Sequence, residues 1–169
     1  FEKEVLGLYV SGHPLLEHSE DLEEFTSVDF SDSLLLKKNE IITVGGMVTK
    51  ITKKYDRRNR AMAFFEMDCI GGHVEVIAFS DCFAMYENLI EEDSVIFVNG
   101  KMADDTNFSD LKVMAEKIVS IENAREHFSR KLVISFKSQD IKPEDIEDLY
   151  EFARKYPGDC NLIFLLPCL

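Results

Sequence analysis

From residue 41 to residue 122 apolar side chains recur at about every second position, the spacing of strands that bury one face. IITVGGMVTKIT predicts a first strand whose apolar parity runs Ile42, Val44 and then Met47, Thr49, Ile51. The parity slips at Gly45-Gly46, where a bulge or sharp bend is expected. AMAFFEMD (61–68) and HVEVIAF (73–79) predict the second and third strands, joined by the Gly-rich hairpin turn CIGG. Ser80 suits the cap of a helix running to about Ile90, with Phe83, Tyr86 and Ile90 facing inward. SVIFVNGKM (94–102) and LKVMAEKIVSIE (111–122) predict strands four and five, joined by the polar loop ADDTNFSD.

Outside this span the period changes. FEKEVLGLYV places Phe1, Val5, Leu8 and Tyr9 on one helical face, and Ser11-Gly12 with Pro14 ends that helix. A second short amphipathic stretch carries Leu15, Leu22 and Phe25 on one side, and residues 26–40 read as a linker. After the charged connector ENAREHFSRK, KLVISFK reads as a strand. Pro143 opens a helix with Glu144, Asp145 and Glu147 near its N-terminus, where the helix dipole favours acids. The helix ends near Tyr156, and CNLIFLL is expected to be a buried strand.

The order strand, strand, strand, helix, strand, strand, with a coiled first strand broken by glycine, is that of a five-stranded OB-fold barrel. An SH3-type barrel lacks a helix between strands three and four. The expected class is therefore mainly β with flanking α. It comprises a helical segment and linker (1–40), an OB-fold domain (41–122), a connector (123–130) and an incomplete α/β domain (131–169) that is the βαβ start of a small sheet.

The totals narrow the chemistry. The 169 residues are 46% hydrophobic with a net charge of −13, and no apolar run approaches the ~20 residues of a membrane span. Cys69, Cys82, Cys160 and Cys168 form no CxxC pair, and read as reduced, mostly buried thiols of a cytoplasmic protein. The start at Phe1 and the apolar end LIFLLPCL suggest a piece of a longer polypeptide. His13, His18, His73 and His127 fall at no ligand spacing, and no phosphate-binding or nucleophile motif is present, so neither cofactor nor metal is expected. Asp104-Asp105 lie in a loop, and Glu66 and Asp68, with no basic or His partner in view, read as solvated acids. No catalytic residue is expected.

One stretch departs from the acidic background. KITKKYDRRNR (50–60) holds six basic residues and one acid, a net +5 that leaves −18 for the rest of the chain. It is the end of strand one and the loop to strand two, which in OB-folds flanks the nucleic-acid face together with the loop between strands four and five. Single-strand binders need cations along the backbone and aromatic faces under the bases. Lys50, Lys53, Lys54, Arg57, Arg58 and Arg60 supply the first, and Tyr55, Phe64 or Phe65, and Phe108 the second. Alternation sends one of Phe64 and Phe65 into the core and leaves the other outside. The plainer reading of the stretch is a hairpin tip kept soluble by charge; its single sign against an acidic chain favours binding of a single-stranded nucleic acid.

EKEVLGLYVSGHPL (2–15) resembles the stretch preceding the OB domain in the bacterial replicative DNA polymerase III alpha subunit family. The resemblance continues through VGGMVTKITKK, MAFFEMD, HVEVIAFSDCFAMYENLIEEDSVIFVNGKM and IVSIENAREHF, most of the chain. It implies the C-terminal part of such a subunit, an OB domain that contacts single-stranded template, and a following small domain, from about Lys131, that binds the tau subunit of the clamp loader. The remainder of the alpha subunit is then also a partner. The family's palm carboxylates, its phosphoesterase-type domain and its clamp motif match no residue here. The loop KKYDRRNRAM is longer and more basic than the family's usual Lys-Gly turn, and CIGG replaces a more acidic turn. Two rivals remain: a protein-interaction module for replisome subunits, favoured by the acidity outside the loop, and an anticodon-binding OB domain, disfavoured by the SGHPL segment.

Overall fold

The computed structural model describes residues 14–28, 30, 39–103, 111–136, 142–158 and 160–165. The expected helix over 1–10 lies outside the described residues, as does most of the loop between strands four and five. The chain divides into two compact units, Phe1–His127 and Phe128–Leu169.

In the first unit, α1 (Pro14–Glu17) and α2 (Ser19–Phe25) precede β1 (Ile41–Tyr55), β2 (Ala61–Cys69) and β3 (Gly72–Ala78). Then come α3 (Ser80–Tyr86), a 3-10 turn (Glu87–Leu89), β4 (Val95–Met102), β5 (Leu111–Ser120) and α4 (Ile121–Phe128). The strands close into a barrel in the order β1-β2-β3-β5-β4. Neighbours are antiparallel except β3 and β5, which pair in parallel over Val74–Ile77 and Leu111–Met114. This is the expected five-stranded OB-fold with its helix between β3 and β4. Phe65, Met67, Val74, Val76, Ile96, Val98 and Val113 fill the barrel, and Phe83 of α3, 1% exposed, packs with them.

β1 makes closure possible by serving two partners. Its first half, Ile41–Met47, pairs with β4, and its second, Gly46–Tyr55, with β2. A strand shared this way must bend, and the bend brings other groups close. A Cβ on Gly45 would stand 2.5 Å from the Phe97 ring and 2.7 Å from Leu22; on Gly46 it would stand 2.5 Å from the Asp68 carbonyl. The parity slip, however, is not at these glycines. Ile42, Val44 and Val48 share the core, and the register shifts between Val48 and Lys50, a bulge at Thr49. Met47, expected on the core parity, is buried but stands outside the central cluster.

Three other expectations are corrected. The segment 26–40 does not begin as a free linker. The Ser27 N–H donates to the Thr43 carbonyl, the Gly45 N–H donates to Thr26 Oγ1 at 3.1 Å, and Val28 is buried. Strand five ends at Ser120, and most of the connector is helix α4, whose Arg125 reaches Asp21 of α2 at 2.7 Å. Ser80 is not the cap of α3: Phe79 occupies that position, and the helix passes into the 3-10 turn at Glu87 rather than running to Ile90.

The Ser80 hydroxyl instead donates to Asp56 Oδ2 at 3.0 Å, tying α3 to the β1–β2 hairpin. That hairpin turns through Arg57, Arg58 and Asn59. The Asn59 N–H donates to the Asp56 carbonyl, and the Asp56 N–H donates to the Arg60 carbonyl. Asn59 has φ 57°, the left-handed residue that follows a type I turn in three-residue hairpin loops. Asp56 Oδ1 accepts from the backbone N–H groups of Arg58 (2.8 Å) and Arg60 (2.9 Å), and Oδ2 from Arg60 Nε (2.9 Å). Arg60 also reaches Asp81 of α3 at 2.6 Å. Led by the Arg60 N–H, these donors hold the Asp56 carboxyl down to about 2, against the opposing effect of desolvation.

The second unit contains β6 (Lys131–Ser135), α5 (Pro143–Arg154) and β7 (Asn161–Leu165), with the two strands parallel. Pro143 stands in the first turn, and the Asp145 carboxylate accepts from the Lys142 N–H at 2.9 Å. The βαβ order is as expected, but β7 is not buried. Leu162 and Phe164 face the helix, whereas Val133, Ile163 and Leu165 share the opposite, open face, and Leu132 is exposed as well. The thiols also divide: Cys69 is buried and pushed up to about 12, mainly by desolvation, whereas Cys160 is exposed. Cys168 lies outside the described residues.

The Asp56 turn and the open βαβ sheet can each be tested. Because folding lowers the Asp56 pKa from 3.8 to about 2, its contribution is complete above pH ~4 and is lost as pH falls toward 2. Asp56→Asn should therefore lower stability at neutral pH and flatten that acid limb in urea melts run across pH; an unchanged limb refutes the assignment. For the second unit, two-stranded sheets are marginal alone and exposed edges pair with other chains. Residues 1–130 alone should keep the barrel's unfolding transition and self-associate less than the full chain in sedimentation velocity.

Candidate nucleic-acid interface

The bulge at Thr49 decides what the basic stretch can do. With core parity at Ile42, Val44 and Val48, an unbroken alternation would point Lys50, Thr52 and Lys54 inward. The inserted residue reverses this, pairing Lys50 with Glu66, Thr52 with Phe64 and Lys54 with Met62 on the outer face. On β2, Phe65 is 1% exposed in the core, and so Phe64 is the aromatic left outside. Lys54 Nζ lies 4.6 Å from the centre of the Phe64 ring, a cation–π contact. Lys50, Thr52, Lys54, Phe64, Glu66 and Glu75 line a groove of about 260 Å³ here.

The remaining basic residues are apportioned differently. Lys53 has the inward parity, pairs with Glu87 at 2.8 Å and lies 5.3 Å over the Phe83 ring. Arg60 is held between Asp56 and Asp81. Arg57 and Arg58 stand exposed at the hairpin tip. Tyr55, 71% exposed, shares the parity of Ile51 and Lys53 and so does not join Phe64. Phe108 lies outside the described residues. The structure thus brings Lys50, Lys54 and Phe64 together on the hairpin whose tip carries Arg57 and Arg58.

Three groove residues, Thr52, Glu66 and Glu75, are not among those the sequence pattern singles out. Glu66 shares the parity of Phe64, which the alternation of β2 already implies; Glu75 needs the β2–β3 register. Nor are the acids here without partners. Lys50 Nζ is 3.1 Å from Glu66 Oε1, Lys112 Nζ 3.1 Å from Glu75 Oε2, and His73 Nδ1 3.0 Å from Asp68 Oδ1. Pairs this exposed contribute only ~0–1 kcal/mol each, so a ligand can exchange them at small cost.

Comparison with known proteins bears on the barrel and on the chain as a whole. Residues 42–121 match the family described as OB-fold nucleic acid binding domain. The chain is 26% identical over 161 residues to DNA polymerase III subunit alpha of Pseudomonas fluorescens, covering 95% of this chain and 14% of that protein. It is 32% identical over 137 residues to the subunit of the same name in Borreliella burgdorferi, covering 80% of this chain and 12% of that one. Among solved structures, the mitochondrial single-stranded DNA binding protein Rim1 of S. cerevisiae superposes at a TM-score of 0.40 and 10% identity. That match covers 50% of this chain and 96% of Rim1. The chain therefore spans about one seventh or less of the polymerase subunits it matches. Residues 42–121 form an OB-fold domain, within a chain that over most of its length is homologous to DNA polymerase III alpha subunits.

Proposed function

We propose that the barrel holds single-stranded DNA template on the outer face of β1 and β2, as a non-catalytic part of a replicative polymerase in the cytoplasm. The observation that carries this is the Phe64 ring set in a groove between Lys50 and Lys54, on the hairpin whose exposed tip carries Arg57 and Arg58. A base stacks on Phe64 while the phosphates follow the β1 side, where the cations stand. Membership of residues 42–121 in the OB-fold nucleic acid binding family supports the reading, as does homology to polymerase alpha subunits. The net charge of −13 makes the isolated affinity low. Within a whole polymerase, other domains would hold the same strand at high effective concentration.

The second unit favours a different role. Its exposed Leu132, Val133, Ile163 and Leu165 suit a protein partner rather than a polyanion, and in this proposal they dock the clamp-loader tau subunit or the rest of the polymerase.

Arg57 and Arg58 can be removed without touching the Asp56 network. In titrations of labelled single-stranded oligonucleotide, Arg57→Ala with Arg58→Ala should weaken binding to all sequences alike. The logarithmic salt slope should become shallower by about 1.4, roughly 0.7 for each phosphate that the arginines no longer neutralise. Phe64→Ala should instead cost ~1–3 kcal/mol and leave the slope nearly unchanged. If the paired arginine change leaves the slope as it was, the tip is only a charged turn.

A further inference from the structure

The groove around Phe64 has a feature that phosphate binding does not require. Glu66 and Glu75 are direct cross-strand partners, and each pairs with a lysine on its far side, giving the row Lys50, Glu66, Glu75, Lys112 across four strands. Like charges directly opposite one another destabilise a sheet. Both acids are partly exposed, at 40% and 35%, and both line the groove with Phe64. A phosphate would be repelled from this spot.

We propose that Glu66 and Glu75 read the edge of the base stacked on Phe64, so that the site selects bases presenting amino donors over thymine. The inference rests on the nucleic-acid reading of the same groove. Thr52, Phe64 and Ile77 form the neighbouring cross-strand row, so a base lying over Phe64 extends toward the two carboxylates. Lys54 covers the ring and must leave it; its ammonium then meets the phosphate of the stacked nucleotide. An ionised carboxylate only accepts, and one lysine contact leaves it further acceptor capacity. Cytosine offers its N4 amino group, adenine its N6 amino group, and guanine two parallel N–H donors. Thymine offers one N–H between two carbonyl oxygens, which face a carboxylate unfavourably. Carboxylates reading the cytosine amino group follow the same geometry in duplex recognition.

The test compares oligo-dC and oligo-dT of about 12 nucleotides, a length within the range of one OB-fold site, by fluorescence anisotropy at neutral pH and low salt. The full chain should bind oligo-dC at least about 5-fold more tightly, the low end of what one base-edge contact supplies. Glu66→Gln with Glu75→Gln removes two negative charges and so raises both affinities, but it should bring the dC/dT ratio close to one, because glutamine also donates. Glu75→Gln alone keeps the Lys50–Glu66 pair and should give an intermediate ratio, a safeguard if the double variant folds poorly. A wild-type chain that binds both strands equally, or favours oligo-dT, overturns the selectivity while leaving the DNA-binding reading standing. A dC preference that survives both substitutions also overturns it. Binding to neither strand overturns both readings.

Discussion

One extra residue in β1 determines which side of the barrel the basic stretch serves. Ile42, Val44 and Val48 bury themselves on one parity; Lys50, Thr52 and Lys54 lie on the same parity by count and would follow them inside. Burying an unpaired lysine costs far more than a bulge does, so the register shift at Thr49 is the less costly resolution. It turns the cations outward beside Phe64 and leaves Ile51 to pack on the core. The strand can do this because Gly45 and Gly46 let it bend from β4 toward β2 just before, where any side chain would strike Phe97, Leu22 or the Asp68 carbonyl.

The charge of the hairpin is then divided between holding the fold and facing solvent. Arg60 joins Asp56 and Asp81, and Lys53 joins Glu87, so two of the six cations link the hairpin to α3 and the turn after it. Asp56, the one acid of the stretch, organises the turn by accepting from two backbone N–H groups, a guanidinium and a buried serine. The tip is therefore a defined platform for Arg57 and Arg58, and the groove next to it combines cations with acids. Such a mixture suits discrimination among bases better than tight, indifferent binding to phosphate.

The two units differ in how well each closes its own core. The barrel buries most of its apolar side chains; Thr26 and Ser27 fasten the preceding segment to it with hydrogen bonds, and Arg125 joins the two flanking helices through an ion pair with Asp21. The βαβ unit has two strands and one helix, and most of its strand residues remain open to solvent. A sheet covered on one side only has apolar surface to offer a partner.

Period-two alternation, glycine-marked turns and the helix after β3 made the barrel legible, because each of these is local. The same is true of Pro143 opening α5 and of Phe83, Tyr86 and Ile90 facing inward. What alternation alone left open was decided by pairing. Whether Phe64 or Phe65 faces out depends on the register of β2 against β1 and β3, and the position of the bulge depends on where β1 changes partner. Glu87, the partner of Lys53, lies 34 residues away, Asp81, the more distant partner of Arg60, 21, and Glu75 meets Lys112 on a later strand, so tertiary folding alone joins them. The sequence by itself thus determined that a basic loop would stand at the edge of an OB-fold barrel. Only the tertiary structure decided which of its charges the fold itself uses, since an ion pair between elements far apart in sequence has no local signature.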